Sequence, residues 1–192
     1  MNRSKALGFT LVELVVVIVV VGLLAVAALP RFLDVTDEAK KASIQGVAGG
    51  FATGVLSARA QWEAEARPAV TINNEQYNTV NYDGVSFWLT RSAQANGAAT
   101  GFRDGYPFAI NINSANFPAS LTDQACIDLM DNLLQNPPLV DTVANARNDK
   151  NVKYSALADS ANSTCTYQQQ EGDSGHQFVY EIETGRVNVV LQ

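Results

Sequence analysis

The sequence predicts an α+β protein. One long N-terminal α-helix, membrane span first and amphipathic half second, packs on an antiparallel β-sheet with a disulfide region near the C-terminus. Three observations carry this. Leu14 to Leu29 is an uninterrupted run of sixteen apolar residues closed by Pro30. Helical periodicity resumes beyond Pro30 and lasts to about Ala66, just before Pro68. The C-terminal stretch alternates apolar and polar residues with a period of two around Thr184-Gly185, the pattern of a hairpin with one buried face.

The first element is the membrane span. From Phe9 to Leu29 only Thr10 and Glu13 are polar, and at about 1.5 Å per residue such a helix matches the roughly 30 Å hydrocarbon layer. An ionised side chain inside a span costs at least about 2.5–3.5 kcal/mol and marks a functional partner, so Glu13 needs a cation. The residues before the span, Met1 to Gly8, are short and carry Arg3 and Lys5. A cut between Gly8 and Phe9 frees an amine four residues from the carboxylate. Within its own helix that amine points the wrong way, but in a staggered neighbour it sits beside Glu13 and neutralises it. On this reading the buried charge sets the register of a polymer. Arg3 and Lys5 place the N-terminus in the cytoplasm and the remainder outside.

The second element continues the helix from Pro30 to residue 66. Asp34, Asp37 and Glu38 with Lys40 and Lys41 supply i,i+3 and i,i+4 pairs on a solvated face. At 100° per residue Ile44, Val47, Ala48, Phe51, Val55, Ala58 and Trp62 share one direction and form a core-facing stripe. The opposite face, Phe32, Val35, Ala39, Ala42, Gly46, Gly50, Thr53 and Ala60, is mostly small. Small residues let helices approach closely, so this face is expected to look into an assembly. The competing account of Gly46, Gly49, Gly50 and Gly54 is local loosening, since each glycine weakens a helix by up to about 1 kcal/mol.

Beyond Pro68 the pattern shortens. Tyr77–Tyr82 and Val85–Leu89 flank Asp83-Gly84, a tight-turn dipeptide, and predict a hairpin. Residues 92–101 read as a loop. Alternation in Ala109-Ile110-Asn111-Ile112 predicts a short strand. Residues 121–135 predict a helix with Thr122 as N-cap, Cys126, Leu129, Met130 and Leu133 on one side, and a stop before Pro137-Pro138. Ser163 to Tyr167 predicts a strand. In the last hairpin Phe178, Tyr180 and Ile182 face the core, Thr184-Gly185 turns the chain, and Val187, Val189 and Leu191 face the core again. The expected division is a leader (1–8), a transmembrane assembly helix (9–29), its amphipathic continuation (30–66) and an outer globular head (67–192).

Composition narrows the chemistry. Charged residues are 17% of the chain and the net charge is −6, falling to −8 if a leader with Arg3 and Lys5 is lost and before the new amine is counted. No basic cluster occurs, which argues against nucleic acid. Cys126 and Cys165 are too far apart for a Cys-x-x-Cys pattern, and an oxidising compartment favours joining them; two buried free thiols are the alternative. Gly172-Asp173-Ser174-Gly175 echoes a serine-protease loop, yet His176, the single histidine, lies two residues from Ser174, whereas that chemistry brings its base from elsewhere. Asp141, Asn145 and Asp149 lack calcium-loop spacing. Asn162-Ser163-Thr164 is a formal glycosylation sequon. No catalytic residue, metal ligand or cofactor is assigned, and the expectation is a non-enzymatic protein.

Gly8-Phe9-Thr10-Leu11-Val12-Glu13, with a basic leader before it and an apolar run after it, resembles the class III signal of type IV pilins and pseudopilins. The resemblance implies a pilin fold. It also implies cleavage after Gly8 by a prepilin peptidase, N-methylation of Phe9, and guidance of assembly by Glu13. Gly22 and Pro30 fall where such pilins have a helix-loosening glycine and proline. Pro30-Arg31-Phe32-Leu33, Gly105-Tyr106-Pro107, Cys126 before Pro-Pro, and the Tyr180 to Val187 hairpin resemble a pilin of the mannose-sensitive haemagglutinin (MSHA) system, in the manner of a minor subunit. The implied partners are other pilin subunits, the peptidase, inner-membrane assembly machinery, and a surface glycan or a host or abiotic surface. The implied location is the inner membrane, then an extracellular pilus used for attachment. Within the same class the alternative is a type II secretion pseudopilin. Outside it stand a secretory signal cut after Ala25-Val26-Ala27, an unprocessed single-pass anchor, and a membrane-anchored periplasmic binding module that never polymerises.

Overall fold

The computed structural model describes residues 9–112, 116–172 and 175–192. The elements in order are α1 (Leu11–Ala64), β1 (Ala69–Ile72), β2 (Glu75–Tyr82), β3 (Val85–Leu89), β4 (Pro107–Ile110), α2 (Asp123–Leu133), β5 (Val140–Thr142), α3 (Val143–Ala146), β6 (Tyr154–Asp159), β7 (Thr164–Gln169), β8 (Gln177–Glu181) and β9 (Arg186–Val190). Two compact units divide the chain, Met1–Lys40 and Lys41–Gln192.

In the first unit the described residues from Leu11 onward are helical, and Pro30 lies inside α1 without ending it. The apolar run stands exposed: Ile18 at 60%, Leu24 at 64% and Phe32 at 71%. A helix satisfies its own backbone groups, so these side chains can stay uncovered by the chain itself.

In the second unit the remainder of α1 lays its stripe into the core. Ile44, Ala48, Phe51, Val55, Ala58 and Trp62 are all buried. Phe51 is the hub, its ring 5.3–5.7 Å from those of Tyr167, Phe178 and Tyr180. Ala66 and Arg67 take left-handed φ values of 61° and 60°, which ends the helix two residues short of the expected Ala66 and ahead of Pro68.

Two sheets follow, with orders β1-β2-β3-β4 and β5-β6-β7-β8-β9. Every neighbouring pair is antiparallel except β5 with β6, which is parallel. The β2–β3 hairpin turns at Asp83 and Gly84, both with positive φ (50° and 85°), the geometry that Asp-Gly favours. Thr122 caps α2 by accepting the Ala125 N–H at 3.1 Å, and Cys126, Leu129, Met130 and Leu133 are buried. The Tyr180 hydroxyl donates to the Pro107 carbonyl at 2.9 Å, linking β8 of one sheet to β4 of the other.

Several expectations need correction. The structure adds strands β1, β5 and β6 to those the sequence pattern predicts. The strand expected at Ala109–Ile112 begins two residues earlier, because β3 pairs Leu89 with Pro107; Ile112 is 64% exposed. The last turn is wider than two residues. Glu181 pairs with Arg186, and Ile182, in the loop between them, is fully buried. Val189, late in the edge strand β9, and Leu191, just past its end, do not face the core: they are 36% and 40% exposed, because the core does not extend under this end of the strand. Only Val187 of the three packs against the core.

The glycines of α1 separate into two kinds. A Cβ at Gly54 would lie 2.3 Å from the Leu133 carbonyl oxygen, whereas at Gly46 or Gly49 it would meet nothing within 4 Å. Gly54 is therefore a packing glycine that brings α1 against α2 in the same unit. Gly50 is intermediate, its Cβ position 3.0 Å from Leu134 Cδ2. Gly46, Gly50, Thr53 and Ala60 of the small face are exposed.

Candidate functional site

The candidate site is the start of α1. Thr10 precedes the helix and its carbonyl accepts the Leu14 N–H at 3.2 Å. The Glu13 carboxylate accepts the Thr10 N–H at 2.9 Å and the Thr10 hydroxyl at 2.7 Å, while the Glu13 N–H donates back to the Thr10 hydroxyl oxygen at 3.2 Å. This is a reciprocal capping box. Thr10 and Glu13 stand three apart in the sequence, and Thr-x-x-Glu is the capping-box signal that gives Glu13 a partner on its own helix. The carboxylate thus has a local role even without a neighbouring amine: it satisfies helix donors that hydrocarbon would leave bare.

Among the described residues α1 alone is long and apolar enough to cross a membrane, by length and composition, and its apolar window is unburied. Phe9, the first described residue, is 79% exposed. Arg3, Lys5 and Gly8 lie outside the described residues, so the Gly8–Phe9 bond has no described geometry. Gly22 has open space about it, with nothing within 4 Å of an added Cβ.

The second unit supplies the disulfide. Cys126 in α2 and Cys165 in β7 are bonded, with Cα atoms 5.6 Å apart. The Tyr167 hydroxyl donates to the Cys126 carbonyl at 2.7 Å beside it, and burial pushes the Tyr167 phenol well above its ordinary range. The fold is cross-linked where the helix of the head meets the second sheet.

Other sequence features resolve into structural roles. His176 is buried and its Nδ1 accepts the Gln192 N–H at 3.1 Å, which holds the residues after β9 in place; Asp173 and Ser174 lie outside the described residues. Asp141 accepts from the Asn145 side chain at 2.9 Å and the Thr142 N–H at 2.7 Å, which hold its carboxyl below the usual range. Asp149 bonds the backbone and side chain of Asn151 instead. Among the described residues no group of three or more His, Cys, Asp or Glu is placed to hold a metal ion. Asn162 of the sequon donates to Asp159 at 2.6 Å.

Residues 3–29 match the sequence family described as the prokaryotic N-terminal methylation motif. The chain is 42% identical over 57 residues to the type IV narrow pilus major component PilA5 of Thermus thermophilus, a match covering 30% of this chain and 49% of that protein. It is 32% identical over 109 residues to the fimbrial protein EcpC of Eikenella corrodens, covering 53% of this chain and 71% of that protein. The chain therefore spans about half the length of the first relative and over two thirds of the second. No solved structure matches significantly. A methylation motif on the apolar helix, a helix-on-sheet head closed by a disulfide, and a fimbrial relative spanned over most of its length converge: the chain belongs to the type IV pilin family.

Proposed function

We propose that this pilin subunit is processed between Gly8 and Phe9 by a prepilin peptidase, methylated at Phe9, and polymerised through residues 9–29. Residues 1–8 are the leader, 30–66 the continuation of the helix, and 67–192 the head. The subunit waits in the inner membrane with its N-terminus cytoplasmic, then enters an extracellular pilus of MSHA type as a minor component serving attachment. The observation that carries this reading is the contrast within α1: its apolar half is exposed and begins with the Thr10–Glu13 capping box. Lipid before assembly, and the helices of other subunits after it, supply the missing apolar surroundings.

Glu13 serves two states. In the membrane the capping box shares its charge with the donors of Thr10. In the polymer a staggered neighbour's Phe9 amine sits beside it and neutralises it in a region of low dielectric. Glu13→Gln keeps a capping acceptor but removes the charge, so it should insert normally and assemble poorly.

The test is filament yield in a sheared-cell fraction, together with N-terminal sequencing of the mature protein. A mature chain beginning at methylated Phe9, recovered in sheared filaments, supports the reading. Wild-type incorporation of Glu13→Gln defeats the charge-register mechanism. Protein that begins at Phe9 but stays with the membrane points to a membrane-anchored binding module that does not polymerise, or to the type II secretion pseudopilin. A start at Ala28 points to a secreted protein, and a start at Met1 to an anchor.

A further inference from the structure

We propose that the head carries a binding cleft for a neutral oligosaccharide, built where β2, the end of β3 and the 92–101 loop meet. This deepens the attachment reading above and rests on it for biological purpose, although the site itself is argued from its own chemistry.

A cavity of about 570 Å³ is lined by Tyr77, Arg91, Gln94, Phe102, Phe108 and Phe117, among others. Its volume lies in the range of small-molecule sites. One wall is aromatic: Phe117 stacks on Tyr77 at 4.9 Å and 18°, and Phe108 lies 4.9 Å from Phe117. Behind them Trp88 meets both Tyr77 and Phe117 edge-on, at 6.1 and 5.9 Å. A second cavity of about 700 Å³ shares Arg91 and Gln94 with the first and adds Thr71, Asn74 and Gln76. An aromatic subsite thus adjoins an amide-rich one.

The charge state of the cleft selects the ligand class. Among the described residues Arg91 is the one charged residue in either lining. Its guanidinium lies 4.2 Å over the Tyr77 ring, donates to the Gln76 carbonyl at 2.8 Å and pairs with Glu75. Glu75 also accepts the Ala95 N–H at 3.1 Å. Arg91 and Glu75 form a formally neutral pair within the fold, which favours an uncharged ligand over an anion or a cation. A nucleic-acid strand also stacks on aromatic rings, but it requires a positive groove.

The remaining polar groups fit hydroxyls. Among the described residues no hydrogen bond engages the side chains of Thr71, Asn74, Gln76 or Gln94. An amide both donates and accepts, as does a sugar hydroxyl, whereas an apolar peptide would leave those groups desolvated and unmatched. A pyranose has an apolar C–H face for the half-buried Phe102 and Phe117, Tyr77 being covered by Phe117 and Arg91, and a rim of hydroxyls for the amides. Two or three linked neutral rings suit the paired cavities better than one.

The test uses the full processed chain in a detergent with no sugar headgroup, so the detergent itself does not occupy the cleft. Maltotriose, cellotriose and triacetylchitotriose are titrated with sialyllactose as the anionic control, read by calorimetry and by tryptophan fluorescence, to which Trp88 reports. Saturable binding of at least one neutral trisaccharide by about 10 mM is expected. Phe117→Ala and Gln94→Ala should each weaken it about tenfold or more. Gln94 is exposed and forms no side-chain bond in the fold, so its variant remains informative if Phe117→Ala misfolds. No neutral binding, binding unchanged in Gln94→Ala, or binding of sialyllactose alone overturns the proposal. Because solubilised subunits are measured, failure here leaves the pilus reading intact, and failure of filament formation leaves the cleft intact.

Discussion

Leu24 and Phe51 stand on the same helix and live in opposite surroundings. Leu24 is 64% exposed, while Phe51 is fully buried against three aromatic rings. The comparison teaches that apolarity in this chain serves two ends. In the second unit it is consumed internally, where burial stabilises the head by roughly 25 cal/mol per Å² of apolar area. In the first unit it is left over for an environment that the chain does not itself supply. An exposed apolar surface of this extent marks a membrane or assembly site.

The sharpest way to break the comparison is to truncate both side chains. Phe51→Ala should destabilise the head by about 3–5 kcal/mol, the range for losing a buried aromatic. Leu24→Ala should leave the unfolding midpoint of the head unchanged. Denaturant unfolding of the full chain in detergent, followed by near-UV circular dichroism, measures both. A comparable loss in the two variants would mean that the helix halves are not independent in what they stabilise.

Next in size is the disulfide. Cys126 and Cys165 close a loop with a sequence separation of 39, and replacing both with serine should cost the head about 2–5 kcal/mol. Membrane insertion of the apolar half should not change. Thiol alkylation of the native chain without reductant should label neither cysteine.

The head should also carry an alkaline limit that the apolar helix lacks. Burial pushes the Tyr154 phenol up to about 12 from an ordinary 10.0, and Tyr180 is raised as well. A raised folded-state pKa means that the stabilisation is complete below pH 10 and is lost as pH climbs toward 12. Thermal melts between neutral pH and pH 12 should show a steep fall only above pH 10. A flat profile there would mean that the phenol is solvated in the native state.

How far these features were legible varies with their physics. Helix α1, the core stripe from Ile44 to Trp62, the Asp83-Gly84 hairpin and the cap at Thr122 follow from local pattern, and so they could be read directly. Strand β1 is four residues, and β6 (Tyr154–Asp159) contains Ser155, Ala156 and Ala158, too small to give a period-two signal. Val189 and Leu191 alternate as Val187 does, yet the core stops short of them. Position in a sheet is not encoded by alternation. At the candidate site, Phe9 and Glu13 stood out through their place in the motif. The Thr10–Glu13 bond is carried by the Thr-x-x-Glu spacing and not by the charge, so the apolar surroundings of Glu13 point away from it. The aromatic cleft was invisible, since Tyr77, Arg91 and Phe117 meet only after folding.

The smallest effects test the glycines of α1, where the two uses of the helix meet. Gly54→Ala puts a methyl group 2.3 Å from the Leu133 carbonyl, and overpacking of that kind costs about 1–3 kcal/mol. At a few degrees of melting temperature per kcal/mol for a unit of this size, the loss is measurable. Gly46→Ala meets nothing within 4 Å, so it should stabilise the isolated subunit by up to about 1 kcal/mol through helix propensity. The opposite signs follow from position alone, because the substitution is the same. If Gly46 serves only local loosening, the variant will form filaments at normal yield. If the small face receives a neighbouring helix, the added methyl will lower filament yield while the melting temperature rises, separating what stabilises the head from what allows subunits to pack.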